Sequence, residues 1–321
     1  MSNAISRRSK SFKYVLLGVF SFVIIVFSVF AQRDIPKNIL LKKYATAESK
    51  FIPIMGMRVH YRDQGNVNDS TPLLLIHGTS SSLHTWNEVD ALILQKTKGN
   101  KRVITVDMPA FGLTGPNPEN KYSYENYNQF IDSLLIKLGI SKCIIGGNSL
   151  GGGIAWHYTV AFPNKVSSLI LIDASGYPKK NEKGSLGFKI AQMPVINNLL
   201  LYITPKSLVR KSIEGVYFNH QLIEAETVTR YHELLLCEGN RKAALSLFKN
   251  KIEQHPELIK SIQVPTLIIW GKEDALIDYK NAYLFNQEIK NSNVVMLEKV
   301  GHVPNEEAPE KVANAIIAFL K

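Results

Sequence analysis

A chain of 321 residues, 45% hydrophobic and 20% charged, can bury a sizeable core and fills one large domain or two ordinary ones. Its formal charge of +11 admits an anionic partner, but the lysines are scattered and no nucleic-acid motif occurs, so nucleic acid is not an expected partner. The two cysteines, Cys143 and Cys237, form no metal-spaced pair, and Cys143 falls in a run expected to be a central strand, which argues against a disulfide.

Residues 1–13 are polar and basic, with Arg7, Arg8, Lys10 and Lys13, and the 18 residues Tyr14–Ala31 carry no charge. At helical rise such a run nearly spans a hydrocarbon core of about 30 Å. Val29-Phe30-Ala31 would serve as a cleavage site, yet the apolar part of a signal peptide is usually only about 7–15 residues, so an uncleaved single-pass anchor is the expectation. Basic residues nearly balance across it (Arg33, Lys37, Lys42 and Lys43 follow), and the signal-like layout places the N-terminus inside and the large domain on the extracytoplasmic, periplasmic side. Residues 1–50 are thus read as cytoplasmic tail, anchor (about 14–31) and tether.

From residue 51 the pattern changes. Phe51–Asp63 alternates around Gly56 as in a hairpin. Stretches built around continuous apolar runs follow at 72–78, 102–109, 143–145, 168–173 and 266–271, with a short one at 294–297. Unbroken apolar runs indicate strands buried on both faces, as in a parallel sheet. Helical patterns separate them, most clearly Tyr127, Phe130, Ile131, Leu134, Leu135 and Leu138 on one face, ending at Gly139. The alternation predicts an α/β, mostly parallel, doubly wound sheet. Residues 177–263 have helical pattern and no strand, and are read as a helical cap between a first core part, 51–176, and a second, 264–321.

Gly147-Asn148-Ser149-Leu150-Gly151 lies between a strand and a helix stopped by Pro163. G-x-S-x-G in that context suits a sharp turn that exposes one serine, with the following helix pointing its N-terminal N–H groups at the site. A serine hydroxyl is a weak nucleophile and needs a base held by a third group. Asp274, just after one apolar run, and His302, after the last, both fall where strand ends open beside Ser149. Asp173, at the end of the preceding run, is the rival acid, and His77 is read as structural. The N–H groups of Thr79 and Leu150 are the expected oxyanion donors.

HGTSSS, DMPAFGLTGP, GNSLGGG, LIIWGKED and VGHVPNEE are similar, in order and spacing, to motifs of the α/β-hydrolase superfamily over about residues 51–321. The nearest resemblance is to the capped serine esterase and monoacylglycerol-lipase-like branch. It implies the α/β-hydrolase fold, a cofactor-free serine mechanism without metal, and a cap that shapes an acyl pocket. Ala110 departs from the pattern, where such proteins commonly carry glycine. Dehalogenase and epoxide-hydrolase members place aspartate at the elbow, against which Ser149 argues, whereas G-N-S-x-G-G also resembles carbon–carbon hydrolases of ring-cleavage products.

The expectation is therefore a membrane-anchored hydrolase of carboxylic esters, lipid or acyl, including monoacylglycerols, working through an acyl-enzyme. Ser149 attacks, His302 is the base and Asp274 orients it. A carbon–carbon hydrolase is the alternative, and a non-catalytic scaffold is disfavoured because all three residues are present. No obligate protein partner is evident. Leu199–Leu201 and Leu234–Leu236 are candidate apolar cap residues, and Trp86, Phe111 and Trp156 candidate pocket lining.

Overall fold

The computed structural model describes residues 14, 17, 18, 21, 30–178, 190, 193, 196–250 and 252–321. Most of the apolar run Tyr14–Ala31 lies outside the described residues, and among those described no helix is long and apolar enough to cross a membrane.

Eight strands form one sheet: β1 (Ser49–Ile54), β2 (Met57–Gln64), β3 (Leu73–Ile76), β4 (Val103–Val106), β5 (Cys143–Asn148), β6 (Val166–Ile172), β7 (Thr266–Gly271) and β8 (Ser292–Leu297), in the order β1-β2-β4-β3-β5-β6-β7-β8. The β1–β2 and β2–β4 pairs are antiparallel and all others parallel. The hairpin turns at Met55 and Gly56, both at positive φ (49° and 74°), the twist that suits right-handed strands.

The central strands are apolar throughout because each face meets its own helical layer. Leu74, Ile76, Ile145, Leu169 and Leu171 join one core cluster, with Phe130, Ile131 and Leu134 of α3 (Tyr124–Lys137) and Ile154 and Trp156 of α4 (Leu150–Ala161). Their alternates Leu73, Leu75, Ile144, Ile170 and Ile172 join the other, with Val89 and Ile93 of α2 (Asn87–Lys96) and Val312 and Ile316 of α10 (Pro309–Phe319). Each fully buried aliphatic side chain contributes about 1.5–3 kcal/mol. Two-sided burial therefore selects branched aliphatics at every strand position, which is why no polar alternation shows in the sequence.

Register sets the functional edge. Ile76 pairs with Gly147, Asn148 with Ile172, Ile172 with Ile269, and Gly271 with Leu297. The residues just beyond these ends therefore emerge together at the carboxyl edge.

Between β6 and β7 the chain forms α5 (Lys206–Glu214), α6 (Ala225–Leu235) and α7 (Asn240–Lys249), with Val209, Ile213, Tyr217, Ile223 and Val228 in a core cluster that also takes in Val303. Residues 32–50, expected as a tether, are not loose. They contain α1 (Lys37–Tyr44), whose Leu40 is buried with Leu113, Leu234 and Cys237. The stretch before α1 is bonded to the segment between β6 and β7: Gln32 N–H donates to Tyr202 O (2.7 Å), Ile35 N–H to Leu236 O (2.7 Å), and Arg241 pairs with Asp34 (2.6 Å). Both cysteines are buried and free.

Candidate active site

Ser149 follows β5 directly and stands at φ 56°, ψ −118°, a region that costs a non-glycine residue strain. Backbone bonds hold it there. Ser149 N–H donates to Ile172 O, and Ser149 O accepts from Gly153 and Ser175 N–H, each at 3.0 Å. The turn is so tight that a Cβ on Gly147 would lie 2.4 Å from the Gly151 carbonyl carbon, and one on Gly151 would lie 2.2 Å from Ile76 O. The glycines of the motif are thus required by close approach of the strand, the helix and the neighbouring strand.

His302 lies after β8, and its Nδ1–H donates to Asp274 Oδ2 at 2.7 Å, with both side chains almost fully buried. Asp274 lies after β7; its other oxygen accepts Leu276 and Ile277 N–H at 2.7 and 2.9 Å. His302 Nε2 has no hydrogen-bond partner among the described residues. His302 and Ser149 line one cavity of about 160 Å³, together with Gly78 and Thr79 after β3. Leu150 is the first residue of α4, where N–H groups lack intrahelical acceptors. A hydroxyl, an imidazole with a free nitrogen and a carboxylate behind it are the three groups that nucleophilic catalysis requires.

His77 does not join them. Its Nδ1–H donates to Gly78 O (2.7 Å) and its Nε2 accepts Met108 N–H (3.0 Å), so both nitrogens brace the backbone beside the site. Burial lowers its pKa, consistent with that neutral, two-bond state. Asp107 is a second brace, accepting from Leu83 N–H, Leu113 N–H and His60 Nδ1–H at 2.7 Å each. Burial alone would raise its pKa, but the His60 charge and hydrogen bond hold its carboxyl well below the usual range. Ala110, the departure from the glycine pattern, stands at φ 86°, which explains why glycine suits that turn.

Asp173, the rival acid, is fully buried directly after β6, and its Oδ1 accepts Gly271 N–H at 3.0 Å. Asp173, Asp274 and His302 bring potential metal-ligating atoms within 4.8 Å of one another. His302 Nδ1 and both Asp274 oxygens are, however, already engaged in hydrogen bonds.

The rest of the cavity is mainly apolar, interrupted by polar side chains such as Thr204, Ser212, Tyr231 and Arg241. Leu200, Leu208, Val209, Ile213, Leu245 and Phe248 line it, all contributed by the segment between β6 and β7. Of the leucines singled out in the sequence, Leu200 and Leu235 reach the cavity; Leu199 is exposed, and Leu234 and Leu236 are buried elsewhere. Trp86, Phe111 and Trp156 are not lining residues but buried core. Large aromatics pack wherever volume must be filled, so residue type alone did not separate the two.

Sequence reasoning also missed a polar seam. Glu306, just beyond His302, accepts from Thr85, Tyr217 (2.5 Å) and Tyr231 (2.7 Å), and pairs with Arg230 (3.4 Å). Tyr231 also meets Ser81 at 3.1 Å, so α6 is hydrogen-bonded both to the loop after β3 and to the loop that carries His302. A part-buried glutamate with four partners leaves no local sequence pattern. Asn148 is another such residue: its Nδ2–H donates to His302 O at 2.9 Å and ties the elbow to the histidine loop.

A family profile described as alpha/beta hydrolase fold matches residues 71–190. Lipase 1 of Psychrobacter immobilis is 27% identical over 276 residues, 82% of this chain and 81% of that protein. The chain belongs to the α/β-hydrolase superfamily. Among solved structures it is similar to a membrane phospholipase A described as a bacterial virulence factor, with TM-score 0.71 and 24% identity over 98% of both chains. A meta-cleavage product hydrolase from Pseudomonas fluorescens IP01 also matches, with TM-score 0.70 and 22% identity over 84% of this chain and 97% of that one. At those identities the two structures establish the hydrolase fold alone.

Proposed function

We propose that this hydrolase cleaves carboxylic esters with an apolar acyl chain through an acyl-enzyme. The observation that carries this is the Nδ1–Asp274 bond of His302, which leaves Nε2 free in the cavity that also holds the elbow serine. Ser149 Oγ attacks the acyl carbonyl while His302 Nε2 takes its proton, and the N–H groups of Thr79 and Leu150 hold the oxyanion. The tetrahedral species collapses as His302 returns that proton to the leaving alcohol. Water, deprotonated by His302, then attacks the acyl-enzyme and releases the acid and Ser149. Asp274 keeps the imidazole in the required tautomer and stabilises the imidazolium.

The apolar lining supports acyl chains as the occupant, and the lipase relative supports the same class. The carbon–carbon reading rests on the elbow sequence and a shared fold. A dienone acid would need a cation for its carboxylate, and Arg241, the one arginine or lysine among the described lining residues, spends Nε and Nη2 on Asp34 and keeps only Nη1 without a partner. Assays of residues 33–321 against short and long p-nitrophenyl esters, monoacylglycerols and a ring-cleavage dienone test the choice. Ester turnover rising with chain length is expected; rapid dienone turnover with inert esters would reverse the reading.

Membrane anchoring is part of the proposal. The 18-residue uncharged run Tyr14–Ala31 supports a single-pass anchor with the catalytic domain on the extracytoplasmic side. Because Gln32, Asp34 and Ile35 are bonded to the cap, such an anchor would hold the cap next to the bilayer. The full-length protein is expected to sediment with membranes and retain its N-terminus. A soluble protein beginning at Gln32 would contradict this.

A further inference from the structure

Asp173 stands at φ 45°, a left-handed conformation uncommon for a non-glycine residue, directly where β6 ends. Its N–H donates to Ile269 O (3.1 Å) and its Oδ1 accepts Gly271 N–H (3.0 Å), which aims the carboxyl along the carboxyl edge towards Asp274. Asp173 Oδ2 is buried and receives no donor among the described residues. The side-chain ligand atoms of Asp173, Asp274 and His302 all lie within 4.8 Å of one another.

Two carboxylates in one dry site do not both ionise, and the one with fewer donors takes the proton. Asp274 has three donors, from His302, Leu276 and Ile277; Asp173 has one, from Gly271. A carboxylate offers about four acceptor positions, so Asp274 has one left. Glu307 is the other acid facing this site. It accepts N–H groups of Gly301, Phe218 and Asn219, and burial, ahead of the neighbouring Asp274 charge, raises its pKa. Burial first, then the charge of Asp274, pushes the Asp173 carboxyl well above the carboxylate range.

We propose that Asp173 is a positioning residue: a neutral carboxylic acid whose Oδ2–H donates to the last acceptor position of Asp274 and fixes that carboxylate, as an anion, behind His302. The inference rests on the reading of Ser149, His302 and Asp274 as the catalytic set. It extends that reading in two ways. A neutral donor fixes the direction of the Asp274 carboxylate without adding a second negative charge beside His302. A second charge would stabilise the imidazolium and leave less free base at neutral pH.

The test is the pH profile of kcat/KM on p-nitrophenyl butyrate for Asp173→Asn, Asp173→Leu and Asp274→Asn, with a thermal melt for each. An amide keeps both the acceptor for Gly271 and a donor for Asp274. Asp173→Asn should therefore fold, lose less than about tenfold in kcat and keep the wild-type acid limb. Asp173→Leu, if folded, removes the donor. It should lose roughly 10- to 100-fold in kcat, with the acid limb moved to higher pH because the charge on Asp274 is less compensated. A downward move of the acid limb by about one unit or more in Asp173→Asn would show that Asp173 carries charge, and would overturn the proposal. So would a folded Asp173→Leu with wild-type kcat, or failure of Asp173→Asn to fold. If Asp173→Asn is crippled while Asp274→Asn stays active, the assignment of Asp274 itself has failed, which is a separate result.

Discussion

Ser149→Ala is expected to lower kcat for ester hydrolysis by about 10⁶-fold, the loss seen when a nucleophilic serine is removed from a working triad. The substitution deletes only the hydroxyl. The elbow is held by backbone bonds of Ser149 to Ile172, Gly153 and Ser175, all at 3.0 Å and all retained by alanine. Alanine and serine also bear the same Cβ, so the strain at φ 56° is unchanged. The melting curve should stay with the wild type while activity disappears. Activity should not fall to that of water, because preorganised donors and substrate binding leave a residual acceleration of roughly 10³–10⁴. Steady-state kinetics and a melt on the same preparation check both parts.

Asp274→Asn is expected to lower kcat about 10⁴-fold in a folded protein. The reason is tautomeric. One Asp274 oxygen accepts Leu276 and Ile277 N–H, and the amide oxygen of the variant would take over that role. The amide nitrogen is then forced against His302 Nδ1, at the place where Oδ2 now accepts at 2.7 Å. Nδ1 must become an acceptor, so the proton moves to Nε2. An imidazole protonated at Nε2 cannot take the proton of Ser149. Both backbone donors remain satisfied, so little stability should be lost. A folded Asp274→Asn enzyme with kcat within tenfold of wild type would sink the assignment.

The parts of this protein that were legible in its sequence are those fixed by local rules. Two-sided burial wrote Leu73–Ile76, Leu169–Ile172 and Thr266–Trp270 as unbroken apolar runs, from which the parallel sheet follows. Close approach wrote Gly147 and Gly151 around the elbow. His302 and Asp274 were marked by position alone, each after a strand whose end opens on the same edge. What stayed hidden depends on packing between distant segments. The relation of Asp173 to Asp274 needs the β6–β7 register, the seam at Glu306 draws partners from three regions of the chain, and the cavity wall depends on how α5 and α7 face inward. The docking of Gln32–Ile35 on the segment between β6 and β7 has no periodic signature at all. Trp86, Phe111 and Trp156 show the same limit from the other side, since an aromatic reads alike in core and pocket.

The central claim is that Ser149 is the activated nucleophile, and the most direct measurement is covalent labelling. An unactivated serine hydroxyl does not react with a fluorophosphonate; reaction needs the base and the oxyanion donors together. Intact-mass and peptide analysis after treatment of the wild-type protein should show a single adduct, on Ser149, and Ser149→Ala should show none. An adduct of undiminished yield on Ser149→Ala would place the reactive serine elsewhere and contradict the account.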